Sequence, residues 1–169
     1  MGQITRGLGK IEIGEIAADG GVATVWERLG DTDRDSTAVI SEEDPTRDEL
    51  HALEYDAAAD VDITEGAITV SWTLLNADLA ALAVLWGGAV EGVGAAQTWE
   101  RSGVANSLER SIKVTPKKGY VITVVRASIV AKINYDLTKP GKMAVDIVAT
   151  IMQPTKADTK PVKFGPLVA

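Results

Sequence analysis

Asp31-Thr-Asp33-Arg-Asp35, followed by Glu42, places carboxylates at positions 1, 3, 5 and 12 of a twelve-residue run. That is the oxygen-ligand spacing of an EF-hand calcium loop. Three features oppose the reading. Ser36 stands where the sharp turn needs glycine, Ala38 stands where a larger aliphatic is usual, and neither flank has amphipathic helical periodicity. The run therefore reads as a solvated loop or an interface segment, and no metal site is assigned. Glu42-Glu43-Asp44 and Asp60-Val-Asp62 are the candidate carboxylate pairs for acid–base work. Such work needs two carboxylates held in different environments across a pocket, and adjacent acids in polar segments give no sign of one. His51 is the single histidine and there is no cysteine, which removes thiolate nucleophiles, cysteine-ligated metals and disulfides. Gly87-Gly-Ala-Val-Glu-Gly-Val-Gly94 lacks both phosphate-cradling glycine patterns. Trp26, Trp72, Trp86 and Trp99 are too scattered for a stacking platform. No catalytic residue, cofactor or enzymatic activity is expected.

The elements that would carry these residues are mainly β. The 169 residues make one domain, with 46% hydrophobic and 24% charged residues, a globular composition. No apolar stretch is long enough to span a bilayer, and the N-terminus has no signal-peptide core, so an intracellular, soluble chain is expected. Lys10–Ile16 and Val22–Trp26, separated by the turn signal Asp19-Gly20-Gly21, read as a hairpin. Gly30–Asp62 holds few apolar runs, which predicts a long acidic loop of about thirty residues. Ala67–Leu74 alternates as a strand should, with Ile68, Val70, Trp72 and Leu74 on one face.

The clearest helix covers Ala77–Trp86, with Asn76 as N-cap and Gly87-Gly88 as the stop. Leu75, Leu79, Leu82, Ala83 and Trp86 form its expected core face. Gly87–Gly103 reads as a loop. Leu108–Thr115, Tyr120–Tyr135 and Met143–Met152 read as strands, joined by turns at 116–119 and 139–142. The length of Tyr120–Tyr135 predicts a strand bent by a bulge or shared between two sheets. Together this is an antiparallel β-sandwich or barrel of about seven strands with one external helix and a long acidic loop.

The net charge of −7 is unevenly placed. Glu27–Glu65 carries 14 acids and 3 bases, a local charge of −11. Arg101–Lys163 carries 12 bases and 4 acids, a local charge of +8. Either the two regions fold against one another within a subunit, or they join copies head to tail. The bases are dispersed and the total is acidic, which argues against a nucleic-acid-binding surface.

The order of elements resembles the tail tube (major tail) proteins of tailed bacteriophages. The resemblance is carried by Gly9-Lys-Ile-Glu-Ile-Gly-Glu-Ile16, Asp19-Gly-Gly and the acidic segment after it. It continues through Ile68-Thr-Val-Ser-Trp-Thr-Leu-Leu-Asn76, which runs into the helix closed by Leu85-Trp-Gly-Gly88. It implies a subunit of hexameric rings that stack into a hollow conduit for DNA ejection, self-assembling in the host bacterial cytoplasm and residing in the virion tail. Gly30–Asp62 would be the stacking loop, and 1–8 and 153–169 the arms that bridge subunits. Asp31, Asp33, Asp35, Glu42, Glu43, Asp44 and Arg47 would lie at the inter-subunit and inter-ring interface, the acids meeting bases of a neighbour. Partners would be further copies, tape-measure, baseplate or tip, and tail-terminator proteins. DNA would transit without specific binding, and the subunit would not insert into a membrane.

Similar tubes occur in type VI secretion and other contractile injection machines. Other readings are a decoration or tail-terminator subunit of a virion, and a small calcium- or carbohydrate-binding module.

Overall fold

The computed structural model describes residues 4–51, 53–54, 56–104 and 106–167. Twelve strands and one helix run in the order β1 (Arg6–Gly14), β2 (Asp31–Thr32), β3 (Val39–Glu42), β4 (Thr46–His51), β5 (Ala58–Thr64), β6 (Ile68–Leu75), α1 (Leu79–Trp86), β7 (Ala89–Glu91), β8 (Thr98–Glu100), β9 (Leu108–Lys118), β10 (Tyr120–Tyr135), β11 (Met143–Ile151) and β12 (Val162–Pro166). The main sheet has eight strands, in the order β1-β9-β10-β11-β6-β2, with β12 also on β10 and β3 also on β6. Every pairing is antiparallel, and the sheet curls into a nearly closed barrel.

β10 is the spine. Its first half pairs with β12 and its second half with β11, while β9 runs along both. The β9 register slips between Val124 and Ala127, so a bulge bends the sixteen-residue strand from one neighbour to the next. Three backbone groups at the bulge, Val125 N–H, Val125 O and Arg126 O, find partners outside the β9 ladder. Val125 N–H donates to Pro161 O at 3.0 Å, and Arg126 O accepts from Met152 N–H at 2.9 Å. Buried Ser111 donates its hydroxyl to Val125 O at 2.6 Å and accepts Ala23 N–H at 3.0 Å.

The core is built by the alternation that the sequence shows. Val70, Trp72 and Leu74 of β6 face inward with Ile11, Ile13, Ile112, Val124, Ile129, Val145 and Ile147. The helix adds Ala81, Leu82, Leu85 and Trp86 to the same cluster. Its N-cap is Asp78, whose carboxylate accepts Ala81 N–H at 2.7 Å, and not Asn76. Asn76 instead takes a positive φ of 54° and makes the reversal after β6, a conformation asparagine tolerates better than most residues. The helix therefore begins two residues later than expected and its buried stripe is rotated. Leu82 and Trp86 are buried as expected, whereas Leu75 closes β6, and Leu79 and Ala83 are only half-buried. Gly87 ends the helix in the left-handed region, its N–H donating to Ala83 O at 2.8 Å.

Several expected loops and arms contain strands. The 87–103 segment forms the β7–β8 hairpin, which places Trp99 beside Trp86, with ring centroids 6.1 Å apart. Trp99 Nε1 also donates to Gly87 O at 3.0 Å. Of the expected arms, Arg6–Leu8 belongs to β1 and Val162–Pro166 to β12; residues 1–3 and 168–169 lie outside the described residues. The hairpin expected over 10–26 has its turn, with Gly20 at φ 78°. Its second limb reaches β1 through a single bridge, Ile13 to Glu27. Ala23 N–H goes to Ser111, so no ladder continues along 22–26.

Candidate functional site

The acidic segment after Gly30 is not a long loop. β2 and β3 extend β6, and the chain then leaves the barrel as the β4–β5 hairpin. The last rung before departure is Glu43 N–H to Ala67 O at 3.0 Å. Beyond it every β4 residue is exposed, as is all of β5 except half-buried Ala58.

Cross-strand partners share a face, so Asp48 and Asp62 stand directly opposite one another, next to the Leu50–Asp60 pair. Like charges in that position oppose pairing. The other face carries Arg47, Glu49, Val61 and Ile63. There Arg47 Nε lies 3.5 Å from Glu49 Oε1, and His51 Nε2 lies 3.5 Å from Glu49 Oε2. Leu50 is 67% exposed and Ile63 60%. A two-stranded ribbon of this kind is marginal alone in water.

The interface residues expected from the sequence separate into two groups. Asp33 is buried and ion-paired to Lys142 Nζ at 2.7 Å. It also accepts the Asp35 N–H at 3.1 Å. The Lys142 ammonium, then the Asp35 amide, hold the Asp33 carboxyl below its usual range, and Lys142 is raised in turn. Asp35 lies 3.5 Å from the same ammonium, and Asp31 pairs with Arg28 at 2.8 Å. Within the subunit Asp33 has a base of its own chain as partner, as do Asp35 and Asp31. The acidic and basic regions do partly fold against one another. Glu42, Glu43, Asp44 and Arg47 remain exposed, at the root of the hairpin.

The calcium arrangement does not form. Asp31 and Asp33 face cations of the chain, and Glu42 lies on β3 opposite Ile68. Among the described residues no three His, Cys, Asp or Glu side chains gather as a metal site. Asp48, Asp60 and Asp62 share a shallow, open hollow, without the contrast of environments that acid–base work requires.

A second feature was missed by sequence reasoning. The outer face of β1, β9, β10 and β12 carries the cross-strand row Glu12–Lys113–Thr123–Lys163. It floors a cleft of about 1030 Å³, bounded by the 21–26 and 156–167 segments. Lys10, Lys113, Lys156, Lys160 and Lys163 line it with two acids, Glu12 and Asp158. Burial raises the Glu12 carboxyl, but Lys10 at 2.9 Å and Lys113 at 3.3 Å outweigh it and hold it low. Lys113 Nζ also sits 4.6 Å from the Trp26 ring centroid, a cation–π distance. Phe164 stands 65% exposed at the wall. Lys10, Lys113 and Lys163 stand singly on separate strands and Lys156 and Lys160 on the segment before β12, so they carry no local motif and only the fold gathers them.

Neither protein-family models nor curated proteins give a match to this chain.

Proposed function

We propose that the chain is a structural subunit of a phage-type tail tube, forming hexameric rings that stack into a conduit for DNA. The observation that carries this reading is the β4–β5 hairpin, which leaves the barrel with Leu50, Val61 and Ile63 exposed. Such a ribbon suits a neighbouring subunit as its missing layer. The short edges β2, β3 and β12, each paired on one side among the described residues, suit lateral association into a ring. Separate acidic and basic surfaces favour heterologous contacts, which propagate, over isologous ones, which close as dimers.

A net charge of −7 also suits a conduit that must not hold DNA, because binding to the phosphate backbone depends on basic surfaces. In this reading tape-measure, tip and terminator proteins meet the tube at its lumen and ends, in the virion tail. Sedimentation velocity of the purified chain across a concentration series tests it. Growth into large, length-heterogeneous particles is expected. A single discrete oligomer would point to a terminator or decoration subunit, and a monomer at all concentrations would overturn the proposal.

A further inference from the structure

We infer that the lysine-lined cleft beneath the 156–167 segment receives the β4–β5 hairpin of a second copy of this chain. This rests on the tube reading for the hairpin's role and adds the surface that takes it. The two features match in charge and in apolar content. Thr46–Glu65 carries seven acids and one arginine, a charge of −6. The cleft presents five lysines against two acids. Lys10 and Lys113 are already turned to Glu12, and Lys156 lies 2.6 Å from Asp19. Lys160 and Lys163 have no carboxylate partner among the described residues, and both are exposed.

Asp60 and Asp62 on the hairpin are likewise exposed and without a cation among the described residues. Apolar surface accompanies the charge on both sides: Leu50 on the hairpin face that carries Asp60 and Asp62, Trp26 and Phe164 in the cleft. Hairpin and cleft are different surfaces of one copy, so a contact passed on from copy to copy is heterologous. A cleft of this composition, with lysines on its floor and an aromatic wall, is complementary in charge to the acidic hairpin.

The absence of cysteine makes the test direct. Full-length Leu50→Cys is mixed with full-length Phe164→Cys under mild oxidation. The control pairs Leu50→Cys with Val148→Cys, an exposed position on β11. A disulfide-linked dimer is expected with Phe164→Cys in clear excess over the control. It should be lost when Lys160→Glu and Lys163→Glu are added to the chain, and regained when Asp60→Lys and Asp62→Lys accompany them. Equal linking in the control, or a link indifferent to the charge reversals, overturns the inference. Electron microscopy of the same samples separates it from the tube reading. Specific linking without tubes would overturn the tube and keep the pairing, whereas tubes without the link would keep the tube and overturn the pairing.

Discussion

Lys142 Nζ lies 2.7 Å from Asp33 Oδ2, an ion pair that joins segments 109 residues apart in the chain. It ties the β11 side of the barrel to the start of the acidic segment, and it makes stability depend on pH in a definite direction. Asp33 has a folded pKa below its unfolded value, so its contribution is complete above about pH 4 and is lost as pH falls through the folded pKa. Glu109, held low chiefly by Arg126 at 2.8 Å, acts in the same window. Lys142 is raised, so its contribution is complete below about pH 10.5 and is lost as pH rises through the folded pKa. Asp33→Asn should lower the melting temperature at neutral pH, with the difference from wild type shrinking toward pH 2. Thermal unfolding monitored by circular dichroism over a pH series checks this, and a difference that stays constant with pH would contradict it.

Ser111 bridges the β10 bulge and the 21–23 turn with one hydroxyl. Ser111→Ala would leave Ala23 N–H and Val125 O buried without that partner. The expected cost is about 1–3 kcal/mol for each unsatisfied group. Ser111→Gly, which removes the same hydroxyl and adds backbone freedom, should be worse still. Urea unfolding measures both, and a neutral Ser111→Ala would show that the bridge is dispensable.

Trp72 and Ile147 pair across β6 and β11 and are each almost wholly buried. Trp72→Ala is expected to cost about 3–5 kcal/mol and Ile147→Val about 0.5–1.5 kcal/mol. The ordering follows from the volume removed, and denaturant midpoints at unchanged slope would establish it.

The helix start distinguishes two neighbouring residues. Asp78→Ala removes the cap on Ala81 N–H and should cost about 1 kcal/mol. Asn76→Gly, at a positive φ, should be neutral or slightly stabilising. Were Asn76 the cap, Asp78→Ala would be near neutral.

How much of this was legible follows from the range of the forces. The alternation of Val70, Trp72 and Leu74 marks a half-buried strand from local pattern alone. The sixteen residues of Tyr120–Tyr135 exceed an ordinary strand, so a bend was legible as well. β4, reading Thr-Arg-Asp-Glu-Leu-His, carries no apolar period because neither of its faces is buried within the subunit. It is a strand only through pairing with β5, which composition does not report. Asn76 and Asp78 are both good caps, and the choice between them depends on how the chain turns off β6. The Asp33–Lys142 pair and the lysine cleft depend on strand register, and residues so far apart leave no local trace. The candidate interface acids came from the resemblance and the acidity of the segment, and only the fold separates Asp33, turned inward, from Glu42, Glu43 and Asp44, turned outward.

Negative-stain electron microscopy of the purified full-length chain tests the central claim most directly. Hollow tubes of constant diameter, built of stacked six-fold rings, are expected, and Asp60→Lys with Asp62→Lys should stop their growth while leaving the folded subunit intact. Featureless monomers from the wild-type chain, or closed rings that never stack, would contradict it.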